Sequence, residues 1–312
     1  LNIKPDRRNR VRLGLNCLLI RTPEANILID TGAGSKRIEK LKEQYALNGN
    51  KLLKSLRALG LTARDIDLVI LTHLQFDHSG GCTKLDRSGS AVPTFPKAEY
   101  MVQKRCWDEA RDPNERFEES FYEDDFLPLE EKGVLKIIDG DTEVIPGVNV
   151  KVTDGPSRGH QIVLVERGSE RIAFASDLIP TPYHLPLPHI SATDEYPNGT
   201  LEQKKELLEM TVNGGWLMVF GHGHDYRVEV ARVPNHVGVC EIADDHVVPA
   251  RADVLDELFA PFHGEALGID TLDGRPRIED LGHGSFRVPA RLEVDEWNRR
   301  MSPALPEGDS FT

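Results

Sequence analysis

One short stretch limits what this chain can fold into more than any other. Asp67-Leu68-Val69-Ile70-Leu71 is an apolar run of strand length, and it opens into Thr72-His73-Leu74-Gln75-Phe76-Asp77-His78-Ser79-Gly80-Gly81. A run this short, bounded by polar residues, reads as a buried strand. Two histidines, an aspartate and a glutamine follow it closely, and the glycine pair permits a sharp backbone path beyond them. Imidazole nitrogen and carboxylate oxygen are ligands of borderline-soft divalent ions such as Zn²⁺. The segment is therefore a candidate metal loop at the end of a strand.

Similar punctuation recurs along the chain. Asn16–Ile20 and Asn26–Asp30 read as strands joined by Thr22-Pro23-Glu24-Ala25. Lys51–Leu59 has helical spacing and stops before Gly60. Glu99–Val102, Val134–Ile138, Val148–Val152, Gln161–Val165 and Ile172–Ala175 read as strands, and Arg116–Tyr122 as a helix. The last of those strands runs into Ser176-Asp177 and a loop carrying Pro180, Pro182, Pro186, Pro188 and Pro197. Thr200-Leu201-Glu202-Gln203 has capping-box form and predicts a helix to about Met210. Trp216–Phe220 reads as a strand that delivers Gly221-His222-Gly223-His224-Asp225. His73, Asp77, His78, Asp177 and His222 thus all follow strands. Strands followed by helices, twice over, predict two facing sheets with helices outside and ligands gathered along one edge.

Composition narrows the function. A formal charge of −13 argues against nucleic acid or an anionic membrane as partner. No apolar run approaches the ~18 residues of a membrane span, and no signal-peptide pattern is visible. The four cysteines show no CxxC spacing, which fits reduced thiols in a cytoplasmic protein. Hydrophobic residues make up 39% of the chain, enough for a sizeable core. The basic cluster Arg7-Arg8-Asn9-Arg10-Val11-Arg12 reads as solvated surface.

The loop, with four further stations, resembles the metallo-β-lactamase superfamily. Its H-x-H-x-D-H motif is met by His73, Gln75, Asp77 and His78, with Gln75 where the second histidine should stand. Its T-P-G-H-x-x-G-H stretch is met by Thr153-Asp154-Gly155-Pro156-Ser157-Arg158-Gly159-His160, with Pro156 in the ligand place and His160 as a supporting residue. Asp177, the proline-rich loop and His222 complete the pattern over roughly residues 12 to 230. The resemblance implies an α/β fold, a four-layer αβ/βα sandwich, spanning 1–230. Residues 231–312 form a C-terminal extension that packs on it or mediates a homodimer.

The two departures fall on the same ion. What remains for the other is Asp77, His78, Asp177 and His222, so the resemblance implies one Zn²⁺, with Fe or Mn as other ions the set admits. Gln75 and His73 are weaker ligands of this reading. His73 keeps two readings, an orphaned ligand that holds water or a buried, hydrogen-bonded histidine. Tyr183, His184, His189, Tyr196 and His224 are expected to line a small-molecule pocket. Leu178-Ile179-Pro180-Thr181 and Asp194-Glu195-Tyr196-Pro197 look like the lactonase and small-ester branch. The activity implied is hydrolysis of a small ester, lactone or thioester, with Asp77 and His73 acting on a metal-activated water. The rival is a degenerate member that binds a metabolite or a partner.

Overall fold

The computed structural model describes residues 5–7, 10–47, 51–168 and 170–223, and the backbones of strands at 238–242, 247–250, 279–282 and 285–287. The chain opens with strands β1 (Cys17–Arg21) and β2 (Asn26–Ile29), then helices α1 (Ile38–Tyr45) and α2 (Leu52–Ala58). Strand β3 (Leu68–Ile70) leads into the single-turn helix α3 (Phe76–Ser79) and the hairpin of β4 (Thr83–Leu85) and β5 (Ala91–Pro93). Strand β6 (Glu99–Gln103), helices α4 (Lys104–Arg111) and α5 (Glu123–Glu131) and strand β7 (Leu135–Ile138) follow. The second half holds β8 (Thr142–Ile145), β9 (Val148–Val152), β10 (Gln161–Arg167), β11 (Glu170–Ser176), helix α6 (Pro197–Gly214) and β12 (Leu217–Phe220). Next come β13 (Gly238–Ile242) and β14 (Val247–Ala250).

These strands form a seven-stranded sheet, ordered β14-β13-β1-β2-β3-β6-β7, and a five-stranded sheet, ordered β12-β11-β10-β9-β8. Strands β2, β3, β6 and β7 run parallel, as do β11 and β12; the other pairs are antiparallel. Alternation along β1 and β2 sorts the core. Leu18, Ile20, Ile27 and Ile29 face the second sheet, packing with Val150, Val163, Ile172, Phe174 and Val219. Cys17, Leu19 and Leu28 face the other way, with Leu56, Trp107 and Phe126 of the first helical layer. On the far side of the second sheet, Ile162, Ala173 and Ala175 pack with Leu207 of α6. The result is a four-layer αβ/βα sandwich, as the resemblance implied. Burying one such aliphatic side chain contributes about 1.5–3 kcal/mol.

Two local expectations fail. Arg116–Tyr122 is not a helix; it holds only a 3-10 turn at Glu118–Ser120. Arg116 and Asn114 instead reach the proline-rich loop, donating to Ala192 O and Glu195 Oε1. Helix α6 begins three residues before the capping-box threonine, with Pro197 in its first turn, where a missing N–H costs nothing. Thr200 Oγ1 donates to Asp194, a tertiary bond in place of a local cap.

By its contacts the first compact unit runs 1–252, because β13 pairs with β1 and β14 with β13. The second unit, 253–312, contains the antiparallel pair β15 (Glu279–Gly282) and β16 (Ser285–Arg287). His224 lies outside the described residues. No helix among the described residues is long and apolar enough to cross a membrane.

Candidate metal centre

Four strand ends meet at one edge: Asp30 after β2, Thr72 and His73 after β3, Asp177 after β11 and His222 after β12. Asp30 and Ser176 hold left-handed φ values of 58° and 46°, which non-glycine residues adopt only where the surroundings impose them. Thr72 is what ties them. Its N–H and hydroxyl donate to the Asp30 carboxylate, and its oxygen accepts from Ser176 Oγ at 2.8 Å. The glycine pair serves close approach rather than special φ. A Cβ on Gly81 would sit 2.2 Å from Thr31 O, and one on Gly80 2.4 Å from Ala33 O.

Each inward histidine is oriented from behind. His222 Nδ1 lies 2.9 Å from Gly14 O, and His78 Nδ1 lies 2.8 Å from Asp30 Oδ2. A carbonyl and a carboxylate only accept, so both Nδ1 atoms donate and both Nε2 atoms carry lone pairs in the neutral ring. His73 Nδ1 lies 3.1 Å from Thr72 Oγ1. That hydroxyl spends its one hydrogen on Asp30, so His73 Nδ1 donates as well.

The lone pairs converge. His78 Nε2 and His222 Nε2 are 3.2 Å apart, and Asp177 Oδ1 lies 3.2 Å from the first and 3.0 Å from the second. Asp77 Oδ2 lies 3.8 and 3.7 Å from the same two nitrogens. Acceptors packed this closely repel unless a proton or a metal cation sits among them. Ligands about 2.0–2.1 Å from a tetrahedral ion stand about 3.3 Å from one another, and the observed separations straddle that length. Asp177 Oδ1 and His73 Nε2 are buried without a hydrogen-bond partner, as atoms reserved for an ion or ligand would be. The residues present fit a metal ion.

Protonation follows the same charge pattern. Burial works against a charged His78, but Asp177, Asp77 and Asp30 outweigh it and hold its pKa well above the ordinary value. Burial also opposes charge on His222, where Asp177 prevails and raises its pKa. Asp177, buried too, is held well below the usual carboxylate range by His78 and His222. His73 goes the other way: burial, then His78, lower it to about 4.

The remaining candidates spread outward. Asp177 Oδ2 is 3.9 Å from His73 Nε2, outside hydrogen-bonding distance. Gln75 is partly buried and precedes α3, its carbonyl accepting from the His78 and Ser79 N–H groups. His160 is fully buried; it accepts from the Asp177 N–H at 3.3 Å and its Nδ1 meets Thr153 Oγ1 at 2.6 Å. Burial, then His73, hold its pKa well below the ordinary value. Its role is therefore to pin the Asp177 backbone. His184 is half-buried and bonded to Thr181 Oγ1 at 2.8 Å, while His189 is exposed, with Nδ1 2.9 Å from Tyr183 O. The Tyr196 hydroxyl accepts from Arg158 Nε at 2.6 Å. Asp30 and Gly14, which orient His78 and His222, were not singled out from sequence. Asp30 reads only as the end of the strand Asn26–Asp30, and a backbone carbonyl leaves no sequence signal.

An N-acyl homoserine lactonase of Bacillus cereus is 30% identical over 169 residues, 51% of this chain and 60% of that relative, so the match leaves much of the relative uncovered. The crystal structure of a "probable metal-dependent hydrolase" from Staphylococcus aureus has 26% identity and a TM-score of 0.67, covering 80% of this chain and 86% of that one. An N-acyl homoserine lactone hydrolase with N-hexanoyl-L-homoserine at its catalytic metal center has 25% identity and a TM-score of 0.55, covering 68% and 82%. The profile of the metallo-beta-lactamase superfamily matches residues 11–222. With that match over most of its length, the chain belongs to the metallo-β-lactamase superfamily.

Proposed function

We propose that the chain is a metal-dependent hydrolase of a small ester, lactone or thioester, holding one ion between Asp77, His78, Asp177 and His222. The observation that carries this is the convergence of His78 Nε2, His222 Nε2 and Asp177 Oδ1 within 3.0–3.2 Å, with both Nδ1 atoms already committed. When bound, such an ion polarises a scissile carbonyl and lowers the pKa of a water molecule from ~15.7 towards ~7. Asp77, one quarter exposed, orients the attacking water and accepts its proton. His73 Nε2 offers a lone pair on the far side, beside Asp177 Oδ2. Water oxygen bonds to the carbonyl carbon, the bond to the leaving oxygen or sulfur breaks, and the proton passes to that leaving atom.

The lactonase relatives support a lactone or a related ester as substrate. Zn²⁺ suits the two-nitrogen, two-oxygen set, and Gln75 and Pro156 support one ion rather than two. Cys82 and Cys106 are buried thiols outside any disulfide, which favours the cytoplasm as the compartment. A C-terminal extension beyond the main domain is the candidate for dimerisation.

Elemental analysis should find near one ion per chain, and a chelator should abolish turnover on a panel of lactones, aryl esters and thioesters. A fully metallated protein inert on the whole panel would favour the second reading, a metabolite-binding member, for which the absent ligands at Gln75 and Pro156 are the supporting observation.

A further inference from the structure

Helix α6 buries Thr200, Lys204, Leu207 and Thr211, a stripe along one face. A lysine in such a stripe is out of place unless its charge is satisfied, since lysine is almost never fully buried without a partner. Lys204 is fully buried. Its ammonium donates to Pro186 O at 2.7 Å and His189 O at 2.9 Å, and reaches Leu187 O at 3.5 Å. Three N–H groups thus meet three carbonyls of one arc.

That arc belongs to the loop between Asp177 and α6. Pro180, Pro182, Pro186 and Pro188 remove backbone donors from it, and its regular structure is limited to a 3-10 turn at Pro182–His184. Its internal bonds are local ones, among them His184 N to Thr181 O, Leu185 N to Pro182 O, His189 N to Pro186 O, His184 Nδ1 with Thr181 Oγ1 and His189 Nδ1 with Tyr183 O. Arg116 holds the far end through Ala192 O and Asp194 O. The middle is gathered by Lys204, while Leu185 and Leu187 stay exposed. The loop is tied to the centre at its start: it leaves from Asp177, and the His222 N–H donates to Pro180 O at 2.8 Å.

We propose that Lys204 is a positioning residue: its bonds to the carbonyls of Pro186, Leu187 and His189 fix this arc as a preformed wall and so set the size of the substrate group the centre accepts. The wall is a statement about the loop; the substrate half rests on the hydrolase reading above.

Lys204→Met keeps the length and apolar stem and removes the donors, and Lys204→Arg restores donors. Hydrogen exchange tests the wall without any substrate. In Lys204→Met the amides of 183–192 should exchange at least about tenfold faster, with core strands and metal content unchanged. On esters of increasing acyl length, KM should rise about tenfold for the longest and less than about twofold for the shortest, with kcat little changed. Lys204→Arg should recover part of both effects. Unchanged exchange in the arc of Lys204→Met would overturn the proposal, as would a KM that rises equally for every ester. If Lys204→Met does not fold, an exchange rate in Lys204→Arg equal to the parent's supports the wall only if Lys204→Gln loosens the arc; a parent-like Lys204→Gln overturns it. A parent that hydrolyses nothing would remove the hydrolase reading and leave the wall to be decided by exchange.

Discussion

His73 and His78 lie on one loop with ring centroids 4.0 Å apart, yet their surroundings pull in opposite directions. Around His78, three carboxylates overcome burial and favour positive charge. Around His73, burial and the neighbouring His78 favour the neutral ring. Asp177 joins the two halves, with Oδ1 on the His78 side and Oδ2 3.9 Å from His73. The scaffold behind each half is nonetheless complete, since Thr72 orients His73 as Asp30 orients His78. Ligand identity and ligand support are therefore separable: the His73 half keeps its support but lacks imidazoles at Gln75 and Pro156.

The largest effect should come from removing atoms of the proposed four-donor set. Asp177→Ala or His222→Ala should bring metal content from about one ion per chain to near zero, since neither leaves enough donors for a tight four-coordinate site. His160→Ala should retain the ion and cost on the order of 1–3 kcal/mol of stability, because the Asp177 N–H loses its acceptor. Equal metal loss in all three variants, measured by elemental analysis, would place His160 among the ligands and break the comparison.

Support should matter next. Asp30→Asn keeps the shape but puts an amide where the carboxylate accepts from His78 Nδ1 and Thr72. Metal affinity, measured by competition with a chromophoric chelator, should fall about 10–100-fold. An unchanged affinity would mean that His78 is aimed by packing alone. The double change Gln75→His with Pro156→His should complete the other half and add a second ion, raising kcat through a second Lewis acid. Two ions with no gain in turnover would show that the pocket, and not only the donor set, limits hydrolysis.

Much of the candidate site was legible because it is local. His73, Asp77 and His78 lie in the segment that follows one apolar run, and Asp177 and His222 follow two others, so strand-end position and residue type coincide. The four layers were legible in the order of strands and helices, repeated twice along the chain, and in the family resemblance. What escaped depends on distant partners. Asp30 lies 48 positions from His78, Gly14 acts through its carbonyl, and Lys204 looks like any surface lysine until its stripe is seen to be buried. The misread helix at Arg116–Tyr122 has the same cause: Asn114 and Arg116 bond the proline-rich loop, and those contacts override local spacing.

The smallest expected effect concerns the loop that carries Pro156. Glu195 N donates to Pro156 O at 3.0 Å, so Glu195 braces the half that lacks ligands. Glu195 Oε2 is buried without a donor, and Glu109 Oε2 accepts from Arg158 N at 3.1 Å. Burial, followed by a hydrogen bond to Glu195, pushes Glu109 up to about 8, so the folded protein keeps a proton between the two carboxyls. In the unfolded chain Glu109 releases that proton near 4.5, its ordinary value. The folded state thus binds more protons between about pH 4.5 and 8, and stability falls as pH rises through that window. Glu109→Gln supplies a permanent donor for Glu195 and keeps an acceptor for Arg158. Its stability relative to the parent should be near zero at pH 4.5 and rise to about 1 kcal/mol at pH 8, after discounting for partial exposure. Urea unfolding of the metal-loaded proteins measures this difference, and the loaded state keeps His78 and His222 from titrating in the same range. A difference that stays flat with pH would mean that the pair holds no shared proton and that the Pro156 loop is braced by its backbone bonds alone.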